Sequence, residues 1–120
     1  MKTALILFDS SLLSLIVQKM VTDMDMKAIT VKNEKEFSTA LTDQKIDVVL
    51  TDTLYRKKEN PFLSVLKKQK IPFLVISDKD DPDDIKSALK KGADEYIIKP
   101  FDHDILQSKL SIMGIDNDTK

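Results

Sequence analysis

A chain of 120 residues suits a single domain, whose core would bury roughly two-thirds of the surface exposed on unfolding. With 42% hydrophobic and 32% charged residues it has the composition of a globular protein, and disorder is excluded. Nineteen basic against twenty acidic residues leave a formal net charge of -1, without the basic excess of a general nucleic-acid binder. The lack of cysteine excludes disulfides, and a single histidine, His103, excludes a histidine-rich metal site.

The first apolar run, Thr3–Phe8, ends on an acid, Asp9. That acid interrupts the run too early for a secretory segment, and no run approaches membrane-spanning length, so a cytosolic location without membrane contact is expected. Ser10 or Ser11 then caps a helix with a wide apolar stripe of Leu12, Leu13, Leu15, Ile16, Val17 and Met20. Lys27–Val31 is the second strand. Asn33 followed by Glu36 resembles a capping box, with Phe37, Ala40 and Leu41 facing inward. Asp47–Thr51 is the third strand, and Asn60-Pro61 reads as N-cap plus first-turn proline ahead of Phe62, Leu63 and Leu66. Pro72–Ser77 is the fourth strand. Asp81-Pro82 repeats the proline device, with Asp83 and Asp84 in the first turn, Ile85, Ala88 and Leu89 as the stripe, and Gly92 as the stop. Glu95–Ile98 is the fifth strand. Asp102 caps a last helix carrying Ile105, Leu106, Leu110 and Met113, which Gly114 ends. Residues 115–120 read as a polar, frayed tail after a domain spanning 1–114.

Apolar runs recurring about every twenty to twenty-five residues, alternating with helices, make a doubly wound α/β domain with a five-stranded parallel sheet. Ligands bind such sheets beyond the carboxyl ends of the strands. Those ends carry Asp9, Asp52, Ser77 and Lys99. With strand order 2-1-3-4-5, both carboxylates face one crevice, opposite the hydroxyl and the ammonium. Two carboxylates suit Mg²⁺, which keeps several of its waters. A carboxylate can also attack a phosphoryl group, whose oxygens a lysine and a hydroxyl then stabilise. Singly, each residue has a structural explanation as a turn or solvated side chain. Their combination carries the weight.

These positions and the text around them resemble the response-regulator receiver domain of two-component signalling, from Thr3 to about Met113. The most specific stretch is "IPFLVISDKDDPDDIKSALKKGADEYIIKPFD", Ile71 to Asp102, with its Gly-Ala-Asp turn and Lys-Pro-Phe; "DVVLTD", Asp47 to Asp52, matches the strand ending in the phosphoacceptor. The resemblance implies the flavodoxin-like fold of order 2-1-3-4-5 flanked by five helices. It implies that Asp52 accepts a phosphoryl group from a sensor histidine kinase or phosphotransfer protein. Asp9, Asp52 and the backbone carbonyl of Leu54 would ligate Mg²⁺, and Lys99 would pair with the phosphoryl oxygens across a cis Lys99-Pro100 bond. Ser77 would move toward the phosphoryl group, and Tyr96 would swing inward behind it. Such a domain is a phosphoacceptor rather than an enzyme, beyond self-phosphorylation and autodephosphorylation. Without an output domain it is expected to stand alone or to be excised from a longer protein. It would dock a downstream target through the fourth helix, fifth strand and fifth helix, a face through which receivers also form homodimers.

Two departures from the family pattern stand out. Members end strand one with two acids; here Phe8 takes the place of the first, which weakens Mg²⁺ binding and, if the ring turns inward, desolvates the crevice. Arg56 stands where a proline is usual, and with Lys57 and Lys58 makes the rim basic. These departures support an alternative, a degenerate receiver acting as a phosphorylation-independent interaction module. A flavin carrier would want glycine after Ser10-Ser11, and a haloacid-dehalogenase-type phosphatase an acid at Ser11; neither is present.

Overall fold

Short runs of Leu, Ile, Val and Phe without polar alternation form strands buried on both faces, and three such runs make the centre of a five-stranded sheet whose two edge strands are only partly buried. The computed structural model describes residues 1–52, 61–78 and 81–115. Its elements are β1 (Thr3–Leu7), α1 (Ser11–Asp23), β2 (Lys27–Val31), α2 (Glu34–Asp43), β3 (Val48–Thr51), α3 (Pro61–Lys68), β4 (Phe73–Ser77), α4 (Pro82–Lys90), β5 (Glu95–Ile98) and α5 (His103–Ile112). The strands are all parallel in the order β2-β1-β3-β4-β5. That is the order the resemblance implied.

Alternation along each strand feeds two cores. Ala4, Ile6, Val48, Leu50, Leu74 and Ile76 meet Leu13 and Val17 of α1 and Leu106 and Leu110 of α5. Leu5, Leu7, Val49 and Val75 meet Phe37 of α2, Leu66 of α3 and Ala88 of α4. Two helices therefore cover one face and three the other, as a doubly wound sheet requires.

Side-chain caps start the helices where the sequence put them. Ser10, rather than Ser11, caps α1, its Oγ accepting from the Leu13 amide at 3.2 Å. Asn33 Oδ1 accepts from the Glu36 amide at 2.8 Å, while Glu36 reaches back to the Lys32 amide. Asp81 and Asp102 cap α4 and α5 in the same manner. Asn60 lies outside the described residues.

The helix ends share a device that the sequence only half revealed. Asp25, Lys70, Gly92 and Gly114 all have positive φ, at 60°, 58°, 110° and 81°. After each, the next amide reaches back five residues: Met26 to Val21, Ile71 to Leu66, Ala93 to Ala88 and Ile115 to Leu110. This left-handed turn satisfies helix carbonyls and returns an apolar side chain to the core. Ile115, expected to begin the tail, is instead buried at 8% exposure and packs with Leu110.

Two aspartates clamp the starts of the strands. Asp47 exchanges hydrogen bonds with Thr3, accepting from its amide at 2.8 Å and donating to its carbonyl at 2.9 Å. Asp94 does the same with Phe73, at 3.0 and 2.9 Å. Asp47 therefore precedes β3 instead of beginning it, and Asp94 of the Gly-Ala-Asp motif fastens β5 to β4.

Helix α1 buries less than its composition suggested. Only Leu13, Ser14, Val17 and Val21 are buried, a seam of fourfold spacing, with Met20 partly covered. Leu12, Leu15 and Ile16 stay exposed at 68%, 63% and 41%, because a helix apolar on most sides can turn only one stripe to the sheet. Leu89 of α4 and Ile105 of α5 are likewise exposed. At the end of α1, the hydrogen bond from Lys19 Nζ, at 3.0 Å, holds the Asp23 carboxyl below its ordinary value, with His103 3.7 Å away. No helix among the described residues is long and apolar enough to cross a membrane.

The turn device predicts opposite responses at two equivalent positions. Gly92→Ala should lower stability by about 1 kcal/mol or more, because an L side chain resists that φ. Lys70→Gly should be neutral or stabilising by up to about 1 kcal/mol. Urea unfolding midpoints of the two variants check this, and equal destabilisation by both would contradict it.

Candidate functional site

The site begins with register. Leu7 pairs with Thr51 across β1 and β3, and Thr51 with Val75 across β3 and β4. Ser77 pairs with Ile98 across β4 and β5. The residues that follow or end these strands, Asp9, Asp52, Ser77 and Lys99, are thereby delivered to the same edge of the sheet.

Backbone amides tie them in pairs. The Asp9 amide donates to Asp52 Oδ1 at 3.2 Å, and the Lys99 amide donates to the Ser77 carbonyl at 2.8 Å. The Lys99-Pro100 bond is cis, as the sequence led one to expect. Burial grades across the group. Ser77 is 2% exposed and Asp52 9%, whereas Lys99 is partly exposed and Asp9 is exposed. One carboxylate is thus held within the edge, and a second stands beside it in water.

Phe8 continues the face of Ala4 and Ile6 into the core shared with α1 and α5, and is 4% exposed. Phe101, after the cis bond, packs partly buried against the same cluster. The ring therefore belongs to the hydrophobic interior beneath the edge and leaves Asp9 open to solvent. Leu54 and Arg56 lie outside the described residues, so the carbonyl and the basic rim expected there have no described position.

Tyr96 is half-buried and packs against the α2–α4 core. It pairs with Val75, two residues before Ser77, and so shares a sheet face with that serine. Its hydroxyl donates to Asp84 Oδ2 at 2.6 Å, a charge-assisted bond tying β5 to the first turn of α4. This tether was missed in the sequence, where Asp84 read only as an acid complementing the helix dipole. A tyrosine twelve residues downstream gives no periodic signal that the two meet.

Two neighbouring carboxylates, Asp9 exposed and Asp52 buried, are oxygen donors of the kind Mg²⁺ takes when water completes its shell. No group of three or more His, Asp or Glu side chains converges among the described residues. The residues fit that ion by their chemistry.

A family model described as the response regulator receiver domain matches residues 4–111. The probable transcriptional regulator ycf27 of Cyanidium caldarium is 27% identical over 108 residues, covering 88% of this chain and 43% of its own length. The sensory transduction protein BceR of Bacillus subtilis is 35% identical over 49 residues, 41% of this chain and 21% of its own. The chain spans less than half the length of these curated relatives. Among solved structures, a response regulator from Thermotoga maritima has a TM-score of 0.81 at 27% identity, covering 93% of this chain and 96% of that one. The chemotaxis protein CheY4 of Vibrio cholerae, with a TM-score of 0.78 at 19% identity, covers 93% and 98% and shares the fold.

The position of Phe8 has a direct test. If the ring is part of the core, Phe8→Asp should lower stability by about 3 kcal/mol or more, read from denaturant unfolding. A neutral effect would mean that the ring lines open solvent.

Proposed function

Because the chain belongs to the response regulator receiver family of two-component signalling, we propose that Asp52 is its phosphoacceptor. The donor is a phosphohistidine on a sensor kinase or phosphotransfer protein. A carboxylate oxygen of Asp52 attacks phosphorus, a P–O bond forms as the P–N bond breaks, and the departing imidazole takes up a proton. Lys99 pairs with the phosphoryl oxygens and the Ser77 hydroxyl donates to one of them. Mg²⁺ held by Asp9 and Asp52, with Leu54 contributing its carbonyl, would neutralise charge on the transferred group. The missing acid at Phe8 makes that ion weakly held.

The observation that supports this reading is the Asp9 amide on the Asp52 carboxylate, which sets the proposed acceptor beside a second, solvated acid. The exposed Leu12, Leu15 and Ile16 begin three residues beyond Asp9 and offer the donor protein an apolar landing surface. On the output side, phosphorylation draws Ser77 inward, releases Tyr96 from Asp84 and alters the α4–β5–α5 face, where a downstream protein target docks. The curated relatives, a probable transcriptional regulator and a sensory transduction protein, agree with a signalling output.

Incubation with Mg²⁺ and acetyl phosphate, followed by intact mass measurement, should show one added phosphoryl group, absent from Asp52→Asn. No gain at high Mg²⁺ would instead favour the phosphorylation-independent module. Leu15→Ser should slow transfer from a phosphohistidine protein while leaving transfer from acetyl phosphate unchanged.

A further inference from the structure

A groove of about 580 Å³ opens at the end of the sheet opposite Asp52, between the end of α3, the start of β4 and the end of α4. Lys67, Lys70, Lys90 and Lys91 line it, against one acid, Asp94. Asp94 is already engaged, accepting from the Phe73 amide at 3.0 Å. Lys67, Lys70 and Lys90 form no ion pair with a carboxylate among the described residues. A chain whose formal net charge is -1 therefore gathers unpaired positive charge at one end.

Helix dipoles explain only part of this. Lys67 and Lys90 stand in the last turns of α3 and α4, where a cation complements the carbonyl ends. Lys70 lies beyond its helix in the left-handed region, φ 58°, where the equivalent turn after α4 uses glycine. A lysine there pays a backbone cost that glycine would avoid, and such outliers point to a use for the side chain. Beneath the lysines, Leu63, Ile71 and Met113 are only partly buried and give the groove an apolar floor.

We infer that this groove docks a peptide segment of a partner protein that alternates acidic and apolar residues. The lysines meet its carboxylates and the floor takes its side chains. A small inorganic anion would gain nothing from the floor. Nucleic acid would call for a basic excess that the chain lacks. The surface lies away from the phosphoacceptor edge, so it stands independently of the phosphotransfer reading.

A synthetic peptide of alternating Glu and Leu, titrated into the ¹⁵N-labelled protein, tests this. The amides of Ile71, Gly92 and Asp94 should shift, with affinity falling at high salt. The triple variant Lys67→Gln, Lys70→Gly, Lys90→Gln should bind about tenfold more weakly or worse, the loss of roughly three partly exposed ion pairs. Lys70→Gly keeps the turn, so the variant's own spectrum verifies its fold. Shifts elsewhere, equal binding of a control peptide of alternating Gln and Leu, or equal shifts from inorganic phosphate would overturn the inference. So would groove shifts that track protein concentration without peptide, which would identify a second copy as the occupant.

Discussion

Parallel register is the constraint from which the rest of this molecule follows. Once Leu7 is fixed opposite Thr51, the next residues of β1 and β3 must emerge side by side. The Asp9 amide then meets the Asp52 carboxylate at 3.2 Å without any further arrangement. A slip of two residues along either strand would preserve the hydrophobic facing and still separate the acids. The Asp47 and Asp94 clamps oppose such slips, because each locks the first residue of a neighbouring strand by two hydrogen bonds. Residues at the amino end of the sheet thus protect geometry at its carboxyl end.

The interior and the edge constrain each other through Phe8. An acid in its place would sit in a core whose neighbours are Leu13, Val17 and Leu106. Ionised, it would need a metal or hydrogen-bond partners to offset desolvation. The ring instead packs there, so the chain gains hydrophobic stability at the position where the resemblance would place a second acid. On the opposite sheet face, the Tyr96–Asp84 bond joins β5 to α4 at 2.6 Å. It is a local contact with the reach to couple a helix to the residues beside Ser77.

Features with a local signature were legible in the sequence. Ser10, Asn33, Asp81 and Asp102 announce helix starts because a short polar side chain can satisfy an amide two or three residues on. Gly92 and Gly114 announce helix ends because glycine alone tolerates positive φ without cost. Asp25 and Lys70 make the same turn invisibly, since the sequence offers no glycine to mark it. Ile115 followed from that turn and was missed with its geometry: the chain reverses after Gly114 and carries one more apolar residue inward. Burial on α1 was legible only in outline, because Leu12, Leu15 and Ile16 are as apolar as the residues that face the sheet. The four edge residues were legible because strand ends are local features and the strand order aligns them. The Asp84 tether depends on the first turn of α4 and the strand β5 meeting in space, and it carried no signature.

Asp52 is proposed to receive a phosphoryl group beside a cation that Asp9 would help to hold. A crystal structure grown with Mg²⁺ and beryllofluoride, a phosphoryl mimic, tests it most directly. Beryllium bonded to an Asp52 oxygen, Mg²⁺ between Asp9 and Asp52, and fluorines within reach of Ser77 and Lys99 are the expected result. Density for neither group at saturating concentrations, or beryllofluoride bound away from Asp52, would contradict it.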